Sequence, residues 1–182
     1  MRRIGRLAFP IFCFLVTVGF RHTKSRKHYA LRLLIFAAIS EIPYNLMKSG
    51  HLFYPGSQNI FFTLFLGVIF LYILETDCSE LIKLISMVLL GVITIILKPD
   101  YSLGGALLIL LLYILKEKPV VQMILSYPLL SGGVYAFAAF IPINMYNGKR
   151  GFINAPILKY CFYLFYPVHI IILVIIKLIL MN

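Results

Sequence analysis

A chain of 182 residues with 62% apolar residues, 13% charged residues and a mean hydropathy of +0.97 lies far outside the composition of water-soluble globular proteins. That excludes a soluble domain of ordinary kind. The net charge of +11 does not point to nucleic acid, because no basic helix or aromatic-basic module stands apart from the apolar stretches to meet phosphates.

A bilayer crossing consumes roughly 20 residues plus a turn, so this length holds about seven crossings. Seven apolar stretches follow one another, each bounded by charges or turn residues. They are Ile4 to Phe20, His28 to Met47, Asn59 to Leu74, Leu81 to Leu97, Tyr101 to Leu115, Val120 to Ile141 and Ile157 to Leu180. The fold class predicted is all-α, a polytopic transmembrane helix bundle of about seven helices. Continuous apolar runs exclude a membrane β-barrel, whose strands alternate apolar and polar over about 10 residues. Stretches three to five are short for a full crossing. Tyr101 to Leu115, 15 residues, covers only about 22 Å of a roughly 30 Å hydrocarbon layer. No polar linker or internal repeat divides the chain, so residues 1–182 are expected to form one transmembrane domain.

Basic residues flanking apolar helices set orientation and meet anionic headgroups of the lipid bilayer. The densest group, Arg21, Lys24, Arg26, Lys27 and Arg32, lies between the first two stretches and predicts a cytoplasmic loop. Alternation then puts Glu75 to Glu80, Lys116 to Lys118 and the C-terminus on that side. The N-terminus, Lys48 to Gln58, Lys98 to Tyr101 and Asn144 to Pro156 fall on the other. Cys13, Cys78 and Cys161 show no metal or redox spacing and read as small apolar fillers. The first stretch has a charged start but no small-residue cleavage site, so no cleavable signal peptide is expected.

Ionisable groups inside apolar helices cost several kcal/mol unless paired or used. Glu41 shares a helical face with Ala37, Ala38, Tyr44 and Asn45, beside Pro43. It is either a functional acid or a carboxylate satisfied by an arginine from another helix end. His169 follows Pro167 and shares a face with Phe162, Phe165 and Tyr166. An imidazole there serves as a general base or as a neutral bond to a neighbouring helix. Asp100, between Pro99 and Tyr101, reads first as the N-cap of the fifth helix. Asn59, Thr63 and Gly67 recur every four residues, reading first as a close helix contact and second as a substrate wall. In Tyr146-Asn147-Gly148-Lys149-Arg150-Gly151, glycines around two cations suit an anion, or a plain interfacial turn. No P-loop, HExxH, GxSxG or dinucleotide fingerprint occurs.

Several phrases together resemble the TraX family. They are Gly5-Arg6-Leu7-Ala8-Phe9-Pro10-Ile11-Phe12, Arg32-Leu33-Leu34-Ile35-Phe36 leading to Ser40-Glu41-Ile42-Pro43-Tyr44-Asn45, and Asn59-Ile60-Phe61-Phe62-Thr63-Leu64. The Tyr146-to-Gly151 loop and Phe162-Tyr163-Leu164-Phe165-Tyr166-Pro167-Val168-His169 complete the set. Similar proteins usually carry a further N-terminal helix with an Asp-His pair before the first phrase, and this chain is expected to lack it.

The resemblance implies a membrane acyltransferase that acetylates an acceptor such as the N-terminal amine of a pilin-like peptide, or a small molecule, with acetyl-CoA as donor. Localisation would be a multi-pass bacterial inner or cytoplasmic membrane. Such chemistry needs a base, donors for a tetrahedral oxyanion and cations for a polyphosphate donor. His169 is the candidate base, Glu41 or Asp100 would orient it or take the proton, and Arg6, Lys149 and Arg150 are the candidate cations. These groups are expected to converge on a polar cavity near the non-cytoplasmic end. The rival reading is a non-enzymatic transporter or assembly factor, with Glu41 and His169 as proton relay or helix glue.

Overall fold

The computed structural model describes residues 2–130, 134–148 and 156–181, with side chains described for 7–130, 136–148 and 161–180. Among the described residues the regular elements are helical, with one isolated bridge between Gln58 and Pro99. In chain order they are α1 (Arg2–His22), α2 (Arg26–Ser49), α3 (Ile60–Leu74), α4 (Glu80–Leu97) and α5 (Ser102–Ile114). These are followed by α6 (Pro119–Ser126), a 3-10 turn (Tyr127–Leu129), α7 (Val134–Phe137), α8 (Phe140–Asn144) and α9 (Pro156–Met181). The all-helical bundle read from the apolar runs is the fold observed.

The short helix α3 is the hub. Its sequence is apolar all round, which suits full burial rather than one buried stripe, and it packs on α1, α2, α4 and α5. Its 15 residues span about 22 Å, and longer neighbours shield it from lipid, so it need not reach both headgroup layers itself. Close approach is secured by small residues. A methyl group on Gly105 of α5 would lie 2.5 Å from Thr63 Cγ2 and 2.8 Å from Phe9 Cζ, so α1, α3 and α5 meet there only because Gly105 carries no side chain. Gly67 is pressed by Ile109 in the same way. The Thr63 and Gly67 spacing is therefore a helix contact.

Outer helices show the reverse pattern. On α4 only Leu90 and Thr94 are buried, while Leu84, Val88 and Ile95 face outward. Such a continuous apolar exterior is unfavourable in water and natural in lipid. Three helical segments, Arg26–Ser49, Glu80–Leu97 and Cys161–Leu180, are long and apolar enough to cross a membrane.

Polar bonds tie the two ends of the first five helices. At one end Arg26 Nη2 meets Glu75 Oε2 at 3.1 Å, Tyr113 donates to Glu75 Oε1 at 2.7 Å, and Arg21 Nη2 donates to the Tyr113 carbonyl at 2.5 Å. At the other, Gln58 N donates to the Lys98 carbonyl at 3.0 Å and Lys48 lies 3.9 Å from Asp100. Alternation through α5 is as the sequence predicts.

The sixth stretch departs from expectation. Val120 to Ile141 is not one helix but α6, the 3-10 turn, α7 and α8. Pro128 within the turn and Pro142 within α8 have no N–H to continue an α-helical ladder. The pieces fold back on one another: Tyr127 meets Phe137 edge-on at 6.0 Å, and Asn144 Nδ2 donates to Met123 Sδ at 3.1 Å.

This re-entrant segment changes the direction of α9. Tyr163 stacks on Phe36 at 4.9 Å, Tyr166 meets Phe61 edge-on at 5.3 Å, and Lys177 Nζ reaches the Met47 carbonyl at 3.5 Å. Hence α9 runs parallel to α2. Its C-terminal end lies at the Lys48–Asp100 end, not at the Arg21–Glu75 end that seven alternating crossings imply, because one crossing fewer reverses the parity.

Candidate functional site

The polar residues concentrate where α2 ends, α3 begins and α4 turns into α5. Pro43 cannot donate to the Ile39 carbonyl, which loosens α2 beside Glu41. Glu41 is half-buried, and its Oε2 accepts from Asn59 Nδ2 at 2.6 Å and from the Asn59 backbone N–H at 3.4 Å. Asn59 itself is wholly buried. Its Nδ2 also donates to the Ala37 carbonyl at 2.7 Å, and its Oδ1 accepts from Phe61 N at 3.0 Å, capping α3. The carboxylate is thus held at the positive end of the α3 dipole. Among the residues with described side chains, the partner of Glu41 is Asn59 and not an arginine.

One turn further along α2 stands a second group. Tyr44 donates to Asp100 Oδ1 at 3.0 Å, and Lys48 Nζ donates to Tyr44 Oη at 2.9 Å and to Ser57 Oγ at 2.5 Å. Lys48 also forms the 3.9 Å ion pair with Asp100. Asp100 is therefore not the N-cap of α5. Tyr101 occupies the cap without a side-chain bond, and Ser102 N donates to the Pro99 carbonyl at 2.7 Å. Lys98 and Ser102 sit at φ 48° and 45°, a left-handed conformation costly for residues other than glycine. That strained corner turns Asp100 toward Tyr44 rather than into its own helix.

From α9, Tyr166 reaches the same region: its hydroxyl neighbours the Ile60 backbone, within electrostatic range of Asp100, Tyr44 and Glu41. His169 follows one turn on. Its ring meets Tyr166 edge-on at 5.5 Å and stacks on Phe165 at 5.3 Å, and Nδ1 lies 3.3 Å from the Phe165 carbonyl. A carbonyl oxygen only accepts, so this approach suits a ring that carries a proton on Nδ1. Among the described residues no hydrogen bond joins His169 to Glu41 or Asp100.

Of the cations expected to hold a donor, Arg6 lies in α1 one turn before Phe9, whose ring stacks on Tyr101 with centroids 3.4 Å apart. Its backbone is thereby at the Asp100 end, while its side chain lies outside the described residues. Lys149 and Arg150 lie outside them too; Gly148 beside them takes φ 75°. Lys48 and Ser57 were not singled out from sequence. The signal for Lys48 was the spacing Glu41, Tyr44, Lys48 on one face of α2; Ser57, in the loop before α3, had none.

A lipid-facing helical bundle with half-buried polar groups gathered at one end is the make-up of an integral membrane protein. The family model described as TraX protein matches residues 1–177, and the chain belongs to the TraX family. It is similar to the "Probable fimbrial assembly protein FimC, serogroup H1" of Dichelobacter nodosus, 27% identical over 201 residues, covering 95% of this chain and 81% of that protein. No solved structure matches.

Proposed function

We propose that this chain is a multi-pass acetyltransferase of the bacterial inner or cytoplasmic membrane, carrying an acetyl group from acetyl-CoA to an acceptor amine such as the N-terminus of a pilin-like peptide. The amine nitrogen attacks the thioester carbonyl, a base takes the amine proton, and the C–S bond breaks to release the thiol form of CoA. The observation that carries this reading is the place of His169 on α9, its ring against Tyr166, whose hydroxyl reaches the Glu41–Asp100 region; an imidazole is the side chain there best suited to take up a proton. Lys48, whose ammonium has a third N–H beyond those given to Tyr44 and Ser57, supplies a hydrogen-bond donor of the kind an oxyanion needs. Glu41 and Asp100 then act as positioning acids. Arg6, Lys149 and Arg150 are the cations for the phosphates of the donor. The fimbrial-assembly name of the Dichelobacter relative supports a pilin-like acceptor.

A second reading is favoured by one observation: Glu41 and Asp100 both have protein partners already. They would then be helix ties of a non-enzymatic assembly factor or transporter. Incubating the purified protein with labelled acetyl-CoA and a peptide carrying a free N-terminus, followed by mass spectrometry, separates the two. Acetylated peptide supports the transferase. Its absence, with folded protein and intact donor, leaves the assembly factor.

A further inference from the structure

A cleft of about 280 Å³ opens between the first turns of α2 and the last turns of α3, far from the Glu41–Asp100 groups. Ala30, Leu31, Leu34, Phe65 and Ile69 wall it, and Arg26 and Lys27 stand at its mouth with Tyr72. From Arg26 to Leu34 the wall runs about 12 Å along the helix axis, from the charged end of the bundle into its apolar belt. The two cations differ. Arg26 is committed to Glu75 at 3.1 Å and lies over the Phe20 ring at 4.8 Å, whereas Lys27 is exposed and pairs with no carboxylate among the described residues.

We propose that this cleft binds one anionic phospholipid of the leaflet at the Arg21–Glu75 end, its phosphate on Lys27 and the upper part of one acyl chain between Leu31 and Ile69. Charge and shape both select that occupant. A helix of a partner protein would want small residues at its contact, and here Ala30 stands alone among large ones. A zwitterionic lipid would fill the apolar walls but leave Lys27 without a net counter-charge.

The test is native mass spectrometry on the full chain, purified and stripped of lipid, titrated with phosphatidylglycerol or with phosphatidylcholine of the same chains. Wild type is expected to retain phosphatidylglycerol more tightly. Lys27→Ala is expected to weaken phosphatidylglycerol about fivefold, the effect of one interfacial charge, with phosphatidylcholine unchanged. Ala30→Leu, which fills the cleft, is expected to lose both lipids at unchanged helix content by circular dichroism. Lys118→Ala, a cation at the same end but outside the cleft, is expected to bind as wild type. Wild-type phosphatidylglycerol affinity in Lys27→Ala overturns the proposal, whatever the fold of the second variant. Displacement of the lipid by inorganic phosphate alone, or loss of a dimer in Ala30→Leu, also overturns it in favour of a free-anion site or a protein interface.

Discussion

Asn59 closes two helices at once: its amide nitrogen donates to Glu41 Oε2 at 2.6 Å while its amide oxygen caps α3 through Phe61 N at 3.0 Å. Asn59→Ala removes the cap, worth about 1 kcal/mol, and takes from Glu41 its 2.6 Å amide donor, worth about 1–3 kcal/mol, leaving the 3.4 Å backbone N–H. Calorimetry in detergent is expected to show a lower melting temperature corresponding to a loss of about 2–4 kcal/mol. Asn59→Asp keeps the cap but sets two carboxylates face to face, so it is expected to destabilise until Glu41→Gln is added. An Asn59→Ala protein melting as wild type would refute the tie.

Glu75 offers a pH test at the opposite end. The Tyr113 hydroxyl, and after it the Arg26 guanidinium, hold its carboxyl below the ordinary glutamate value despite partial burial. A lowered folded value means the contribution is complete above the unfolded value of about 4.3 and is lost as pH falls through the folded one. The group is 35% exposed, so solvent screening keeps the contribution under about 1 kcal/mol. Melting curves between about pH 3 and 7 are expected to show a shallower acid dependence in Tyr113→Phe than in wild type. Equal acid dependence would show that this bond does not set the titration of Glu75.

Packing around Gly105 gives a third. Gly105→Ala places a methyl 2.5 Å from Thr63 Cγ2 and 2.7 Å from Tyr101 Cβ, an overlap expected to cost about 1–3 kcal/mol. Thr63→Ser deletes that Cγ2 and is expected to recover part of the loss. Protease resistance in detergent measures both variants, and additive losses in the double change would contradict the shared contact.

Helix positions were legible because lipid demands continuous apolar runs, and α1 to α5 and α9 begin and end within a few residues of where charges and turn residues interrupt those runs. What was not legible depended on pairing between distant segments. From sequence Asn59 reads with Thr63 and Gly67 as a helix contact; it proves to be the cap of α3, and its bond to Glu41 exists only once α2 lies against α3. Asp100 sits where local rules favour a cap. The positive φ of Lys98 and Ser102 and the reach of Tyr44 and Lys48 turn it elsewhere. The apolar run from Val120 to Ile141 has the length of a crossing, yet a bundle that packs α7 and α8 on α1 favours folding back at Pro128.

That fold-back makes a topological prediction. A reporter fused after α9 and a cysteine introduced at His51 are expected on the same side of the membrane, with a cysteine at Lys24 on the other, because Lys177 reaches Met47 while Arg26 pairs with Glu75. Impermeant thiol labelling of whole cells against lysed cells reads this directly, with Cys13, Cys78 and Cys161 first replaced by alanine. If the C-terminal reporter shares the side of Lys24, the re-entrant segment crosses after all.

His169→Ala discriminates between a base and a helix tie. Its polar bond is to the Phe165 carbonyl of its own helix, at 3.3 Å, so removing the imidazole breaks no hydrogen bond between helices among the described residues. Folding is therefore expected to change little, with a melting temperature close to wild type. Loss of a general base, by contrast, costs roughly 10²- to 10⁴-fold in rate. Acetyl transfer measured on the purified variant is expected to fall by that much at an unchanged donor concentration for half-maximal rate. His169→Gln keeps hydrogen-bonding capacity but cannot take up the proton, and is expected to be as impaired as the alanine variant. Normal turnover in both variants would remove His169 from the chemistry. A collapse of stability in His169→Ala that His169→Gln repairs would instead make it a structural residue of α9.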